Sequence, residues 1–156
     1  MWNTEAMRVY FPALSSDLGE EQISLRQAFV AVPSPDMGRE DVEVLEDDAQ
    51  VEAALASLIL LRDAPTHAYA RIVLATDIQT DAVPSGTGVL EVNNVRCDWN
   101  DVVAILADDG ETSEQVRRVI EADDQDQADH AISDLWEFPL QWFDVSERDA
   151  LRKILK

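Results

Sequence analysis

The sequence predicts an α/β fold, with α+β as the alternative: one domain whose mixed sheet of about five strands is flanked by about four or five helices. Three observations predict it. Short apolar runs rich in β-branched residues, "RIVLATDI" and "VVAILA" foremost, alternate with segments of helical periodicity. Breaker clusters such as "PSPDMG" and "DAVPSGTG" fall between those segments. A chain of 156 residues with 46% hydrophobic content suits one core rather than two.

Met1 to Ala6, "MWNTEA", carries no pattern and reads as a disordered extension, so the domain is expected over 7–156, with Met7 as a candidate natural start. From Met7, "MRVYFPAL" alternates aromatic and aliphatic residues and reads as a first strand. "SSDLGEEQISLRQ" suggests one or two helical turns. "AFVAVP" is a second strand, closed by "PSPDMG".

"REDVEVLEDDAQVEAALASLILLRD" is the main helical segment, with an expected interruption at the acidic "EDDAQ". Val51, Ala54, Leu55 and Leu58 have the i, i+3, i+4, i+7 spacing of a core-facing stripe. "ARIVLATDI" follows, apolar on both alternating faces, as a strand covered on both sides requires. "VLEVNNV" reads as a fourth strand and "VVAILA" as a fifth, ending at Asp108, Asp109 and Gly110. Thr112 with Gln115 has capping-box spacing, so a helix is expected there, carrying Val116, Val119 and Ile120 inward. Asp124 is placed to cap the next helix. Ala128, Ala131, Ile132 and Leu135 form its apolar side, which turns Asp126, His130, Asp134 and Glu137 to solvent. Pro139 stops it, "LQWFDV" reads as an edge strand, and a last helix from Ser146 buries Ala150, Leu151, Ile154 and Leu155.

At "MRVYFPA", "ASLILL", "RIVLATDI", "VVAILADD" and "LQWFDVSE" the chain resembles the uncharacterised small cytoplasmic proteins of actinobacteria that open with M-R-V-Y-x-P, a domain of unknown function. The resemblance is scattered over most of the chain from Met7. It implies a GC-rich Gram-positive source and a cytoplasmic location, and it brings no activity with it. Its relatives are expected to have a shorter, less acidic central helix than the one around "LEDDAQ".

Charge narrows the function. Lys and Arg number 12 against 32 Asp and Glu, a formal charge of -20, which repels phosphate backbones and anionic headgroups. Direct nucleic-acid or membrane binding is therefore disfavoured, and a basic protein, a divalent cation or no charged partner is left. The lone Cys97 forms no intrachain disulfide, and no signal-peptide pattern opens the chain, so a reducing cytoplasm is expected. No apolar run approaches the length of a bilayer span.

Motifs exclude more than they assign. No EF-hand loop, P-loop or G-x-G-x-x-G can be aligned; Ser85 in "PSGTG" lacks the lysine and glycine spacing of a phosphate loop. Cys97 with His67 or His130 has no nucleophile signature around it. Asp126, His130 and Asp134 could share a cation only with ligands from another element, so a solvated helix face is preferred.

Two constellations are left. Asp77, Asp108 and Asp109 follow the ends of buried strands, where convergent carboxylates of a parallel sheet could hold Mg²⁺ or Mn²⁺ for a metal-dependent hydrolase. Aspartate at a strand end is also ordinary turn chemistry. Trp136, Phe138, Trp142 and Phe143 in "LWEFPLQWF" offer an interaction surface, against a reading as core plugs at the domain rim. The leading expectation is a non-catalytic, acidic protein-interaction module without a cofactor, engaging an unknown protein or its own copy. The metal-dependent hydrolase is the alternative, and an acidic mimic of nucleic acid is a further one.

Overall fold

A computed structural model describes residues 6–23, 26–64, 68–79, 86–95 and 97–155. Met1 to Glu5 of the expected extension, His67 of the Cys97 pairing and Ser85 lie outside the described residues.

Among the described residues six strands form one sheet in the order β4-β2-β1-β3-β5-β6. They are β1 (Ala6–Ala13), β2 (Arg26–Val32), β3 (Ile72–Gln79), β4 (Gly88–Val95), β5 (Val102–Ala107) and β6 (Gln141–Phe143). The described residues also form the α-helices α1 (Arg39–Asp63), α2 (Ser113–Ile120), α3 (Gln125–Leu135) and α4 (Arg148–Ile154). The α/β class holds, with one strand more than expected. The sheet is not mixed, because every pairing is antiparallel. The reason lies in β1. β2 and β3 run the same way and α1 links them as a parallel crossover would, but β1 pairs between them, antiparallel to both.

Both faces of the sheet are covered, which is why its inner strands read as unbroken apolar runs. On one face Val9, Phe11, Ile72, Leu74 and Ile105 pack with Leu18, Leu151 and Leu155. The other face carries Tyr10, Phe29, Val73 and Leu106 under Ala49, Ala53 and Ala54 of α1. Alanines on α1 let its backbone approach the sheet closely. A third cluster ties the end of α1, through Leu58 and Leu61, to Val116 of α2 and Leu135 of α3.

α1 runs unbroken through "EDDAQ" for 25 residues. Its acids face solvent apart from the half-buried Glu46, so they do not oppose helix formation, and its buried line is Ala49, Ala53, Ala54, Ser57, Leu58 and Leu61 rather than one beginning at Val51, which is exposed. Thr112 does not cap α2 with its side chain; Asp109 instead caps a 3₁₀ turn at Gly110–Thr112 that leads into it. In α4 only Leu151 and the following Leu155 are buried, and Ile154 points outward. Asp124 does cap α3, accepting from the Gln127 N–H at 2.8 Å. No helix among the described residues is long and apolar enough to cross a membrane.

Candidate functional site

The antiparallel order decides the fate of the strand-end aspartates. Carboxyl ends gather on one side of a sheet only when strands are parallel; β3 and β5 pair head to tail, Ile72 opposite Ala107. Asp108 therefore meets the start of β3, whereas Asp77 lies near its far end. Six residues of strand separate Arg71 from Asp77, roughly 20 Å at about 3.3 Å per residue. The fold keeps Asp108 with Asp109 and sends Asp77 away.

Each of these carboxylates has a protein partner. Arg8, opposite Asp77 in register, donates Nε to Oδ1 at 2.6 Å and Nη2 to Oδ2 at 3.2 Å. That hydrogen bond raises the Arg8 pKa, and burial opposes it less strongly. Asp108 is held by Arg71: Nη2 donates to Oδ1 at 2.6 Å, and Nε and the backbone N–H both donate to Oδ2, at 2.9 and 2.8 Å. The two side chains are 2% and 0% exposed, and the Asp108 N–H returns a bond to the Arg71 carbonyl at 3.1 Å. A buried charge needs such pairing to persist. Asp109 accepts from the Glu111 N–H at 2.9 Å and from Gln141 Nε2 on β6. Among the described residues no three His, Cys, Asp or Glu side chains are grouped to hold a metal ion.

Arg71 is the residue that sequence reasoning passed over. It also donates from Nη2 to the Phe138 carbonyl, and its guanidinium carbon lies 6.0 Å from the centre of the Trp136 ring. One arginine thus fixes the segment between α3 and β6 against the ends of β3 and β5. The signal was a lone cation at the head of the most apolar run in an acidic chain, where it must find an acid.

That fixed segment carries the aromatic candidates. Trp136 and Phe138 are exposed beside the Arg71–Asp108 pair. Trp142 sits on β6, a three-residue edge strand, opposite Leu106 and so on the α1 side of the sheet. It is 63% exposed. Phe143 differs: its register with Ile105 turns it to the other face, where it packs against the core. Three of the four expected aromatics are therefore exposed. Trp99, half-buried, serves structure instead. It donates Nε1 to the Glu20 carbonyl at 2.9 Å, and Arg148 stacks 4.2 Å from its ring centre.

The α3 face is as expected, with Asp126, His130 and Asp134 lining an open groove beside Arg118 and Glu121 of the α2 end. His130 Nε2 is 4.0 Å from Asp134 Oδ2, and both are exposed. Cys97 is a buried free thiol; burial first, then Asp101 and Asp98, push its pKa up to about 12, far from that of a nucleophile at neutral pH.

Fold and site together define an acidic α/β domain built on one antiparallel sheet, with a buried Arg–Asp pair supporting an aromatic rim. The chain belongs to a family of unknown function, DUF6912, whose model matches residues 7–151. That agrees with the resemblance its motifs carry. No curated protein and no solved structure matches the chain.

Proposed function

We propose that this domain is a non-catalytic protein-binding module of a reducing cytoplasm, in keeping with a GC-rich, actinobacterial source. Its contact surface is Trp136, Phe138 and Trp142, and its partner is a basic protein. One observation carries the reading: three large aromatics are exposed on the stretch from Trp136 to Trp142, whose Phe138 carbonyl is bonded by the buried, Asp108-paired Arg71. Exposed Trp and Phe on a preorganised backbone lose little entropy on binding, and such residues dominate interface energies. The formal charge of -20 then selects the partner, because two copies of the chain repel each other while a basic protein is steered in. A buried Cys97 thiol suits a reducing compartment.

The test is quantitative affinity capture from the host cytoplasm with wild type and with Trp142→Ala/Phe138→Ala as baits, followed by titration of the recovered protein. A basic protein should be enriched on wild type and lost from the variant, with a blue shift of tryptophan emission on binding. Equal recovery on both baits would refute the assignment of this surface.

A further inference from the structure

The aromatic rim is not the only apolar surface left open. α1 buries one side against the sheet, and its opposite side, free of core contacts at its first half, is not simply polar. At about 100° per residue Val44, Val51, Leu55 and Ile59 fall within roughly 80° of one another. Val44 is 59% and Ile59 63% exposed, Val51 is exposed, and Leu55 is half-buried beside the α2 contact. Isolated surface aliphatics are ordinary. These four recur at steps of seven, four and four residues, in a row about 22 Å long at about 1.5 Å per residue, which is the spacing that the apolar face of a second helix would match. Asp48 is the one acid within this stripe.

Charge says what fits there. The helix carries eight acids, Glu40, Asp41, Glu43, Glu46, Asp47, Asp48, Glu52 and Asp63, against Arg39 and Arg62. Asp41, Asp47 and Glu52 border the stripe along its first half. A second copy of α1 would lay acid against acid there in parallel orientation, and in antiparallel orientation would offer only Arg62 to that row. We infer that the outer stripe of α1 docks an amphipathic helix of a partner protein, about four turns long, with aliphatics at three- and four-residue spacing and Lys or Arg on its flanks. The inference stands apart from the aromatic rim and survives its failure. Apolar residues supply the affinity and the acids set the orientation and the association rate.

The test uses a synthetic four-turn peptide with leucine at alternating three- and four-residue spacing and lysine elsewhere, titrated calorimetrically into the full chain. Its control has the same composition in shuffled order. Val44→Gln/Val51→Gln/Ile59→Gln removes the stripe at exposed sites without changing charge, and glutamine is a good helix former. We expect the periodic peptide to bind wild type, and both the shuffled peptide and the triple variant to bind on the order of tenfold more weakly or worse. Trp142→Ala should leave this binding unchanged. No binding by wild type, equal binding of the shuffled peptide, or full binding by a folded triple variant would overturn the inference. So would sedimentation showing a wild-type dimer that the triple variant lacks, since a second copy would then be the occupant.

Discussion

Removing Asp108 should be among the most damaging single changes in this protein. Its carboxylate receives three hydrogen bonds from Arg71, two from the guanidinium and one from the backbone, with both side chains out of water. Asp108→Ala leaves the guanidinium buried with the Phe138 carbonyl as its one hydrogen-bond acceptor among the described residues, and takes away the acceptor of the Arg71 N–H. Stranding one partner of a buried pair costs about 3–5 kcal/mol. At about 3 °C per kcal/mol for a chain of this size, the melting temperature should fall by roughly 10–15 °C. The exposed control is Arg8 with Asp77, each more than a third exposed, where Asp77→Ala should cost under about 1 kcal/mol. Urea titration followed by circular dichroism measures both.

The assay becomes decisive as a double-mutant cycle with Arg71→Met. If the damage of Asp108→Ala comes from the stranded cation, then removing that cation as well must restore part of it, and the two changes will be less than additive by about 1–3 kcal/mol. Strict additivity, or a loss below about 1 kcal/mol for Asp108→Ala alone, would mean that the stranded Arg71 cation is not the source of the damage. The same cycle should show the aromatic rim loosening, because Arg71 also holds the Phe138 backbone.

Ser57 should be as sensitive as a core aliphatic. Its hydroxyl donates to the Ala13 carbonyl at 2.8 Å and accepts from the Ile72 N–H at 3.1 Å, so Ser57→Ala strands two buried backbone groups and should cost about 2–3 kcal/mol in urea unfolding; near-neutrality would show that those groups find other partners. Tyr10 should titrate late: burial first, then the charge of Glu46, raises its pKa to about 12. A raised acid is neutral in the fold and ionised in the unfolded chain, so its stabilisation is complete below about pH 10 and is lost between about pH 10 and 12. Ultraviolet titration of the phenolate should show this late step moving down in Glu46→Gln, and an unshifted step would exclude Glu46 as a cause.

The strands were legible because the sheet is covered twice. "RIVLATDI" and "VVAILA" need no alternation when α1 packs on one face and α4 with the 3₁₀ turn at Ser15–Gly19 on the other. Direction was not legible. Pairing is a long-range choice, and nothing in "MRVYFPA" announces that it inserts between β2 and β3. That single insertion makes the sheet antiparallel and separates Asp77 from Asp108. Acid runs mislead in a second way: "EDDAQ" suggests a helix break, yet Asp47 and Asp48 are solvated on the outer side of a long helix and only Glu46, half-buried, reaches back toward Tyr10 and Arg8. The aromatic rim was read from local residues alone, apart from Phe143, whose inward turn is set by its register with Ile105. Arg71, which supports that rim, has its partner 37 residues away.

The distribution of the few cations should make the surface of so acidic a chain sensitive to salt. Arg8, Arg26 and Arg71, all on or at the ends of strands, are paired with Asp77, Asp17 and Asp108. Those three pairs are neutral, so the whole excess of 20 negative charges falls on the remaining residues. Like charges on a closed surface repel, and salt screens them over about 10 Å at about 0.1 M. Added KCl should therefore raise the melting temperature, most steeply below about 0.1 M. It should at the same time weaken the basic helix docked on α1, because screening removes repulsion within the chain and attraction between partners alike. The two effects have opposite signs and one cause. Thermal melts and peptide titrations across the same KCl series read them together. A melting temperature that falls with KCl would mean that attractive pairs outweigh acid repulsion at the surface. Binding that strengthens with KCl would leave the apolar stripe as the sole source of affinity.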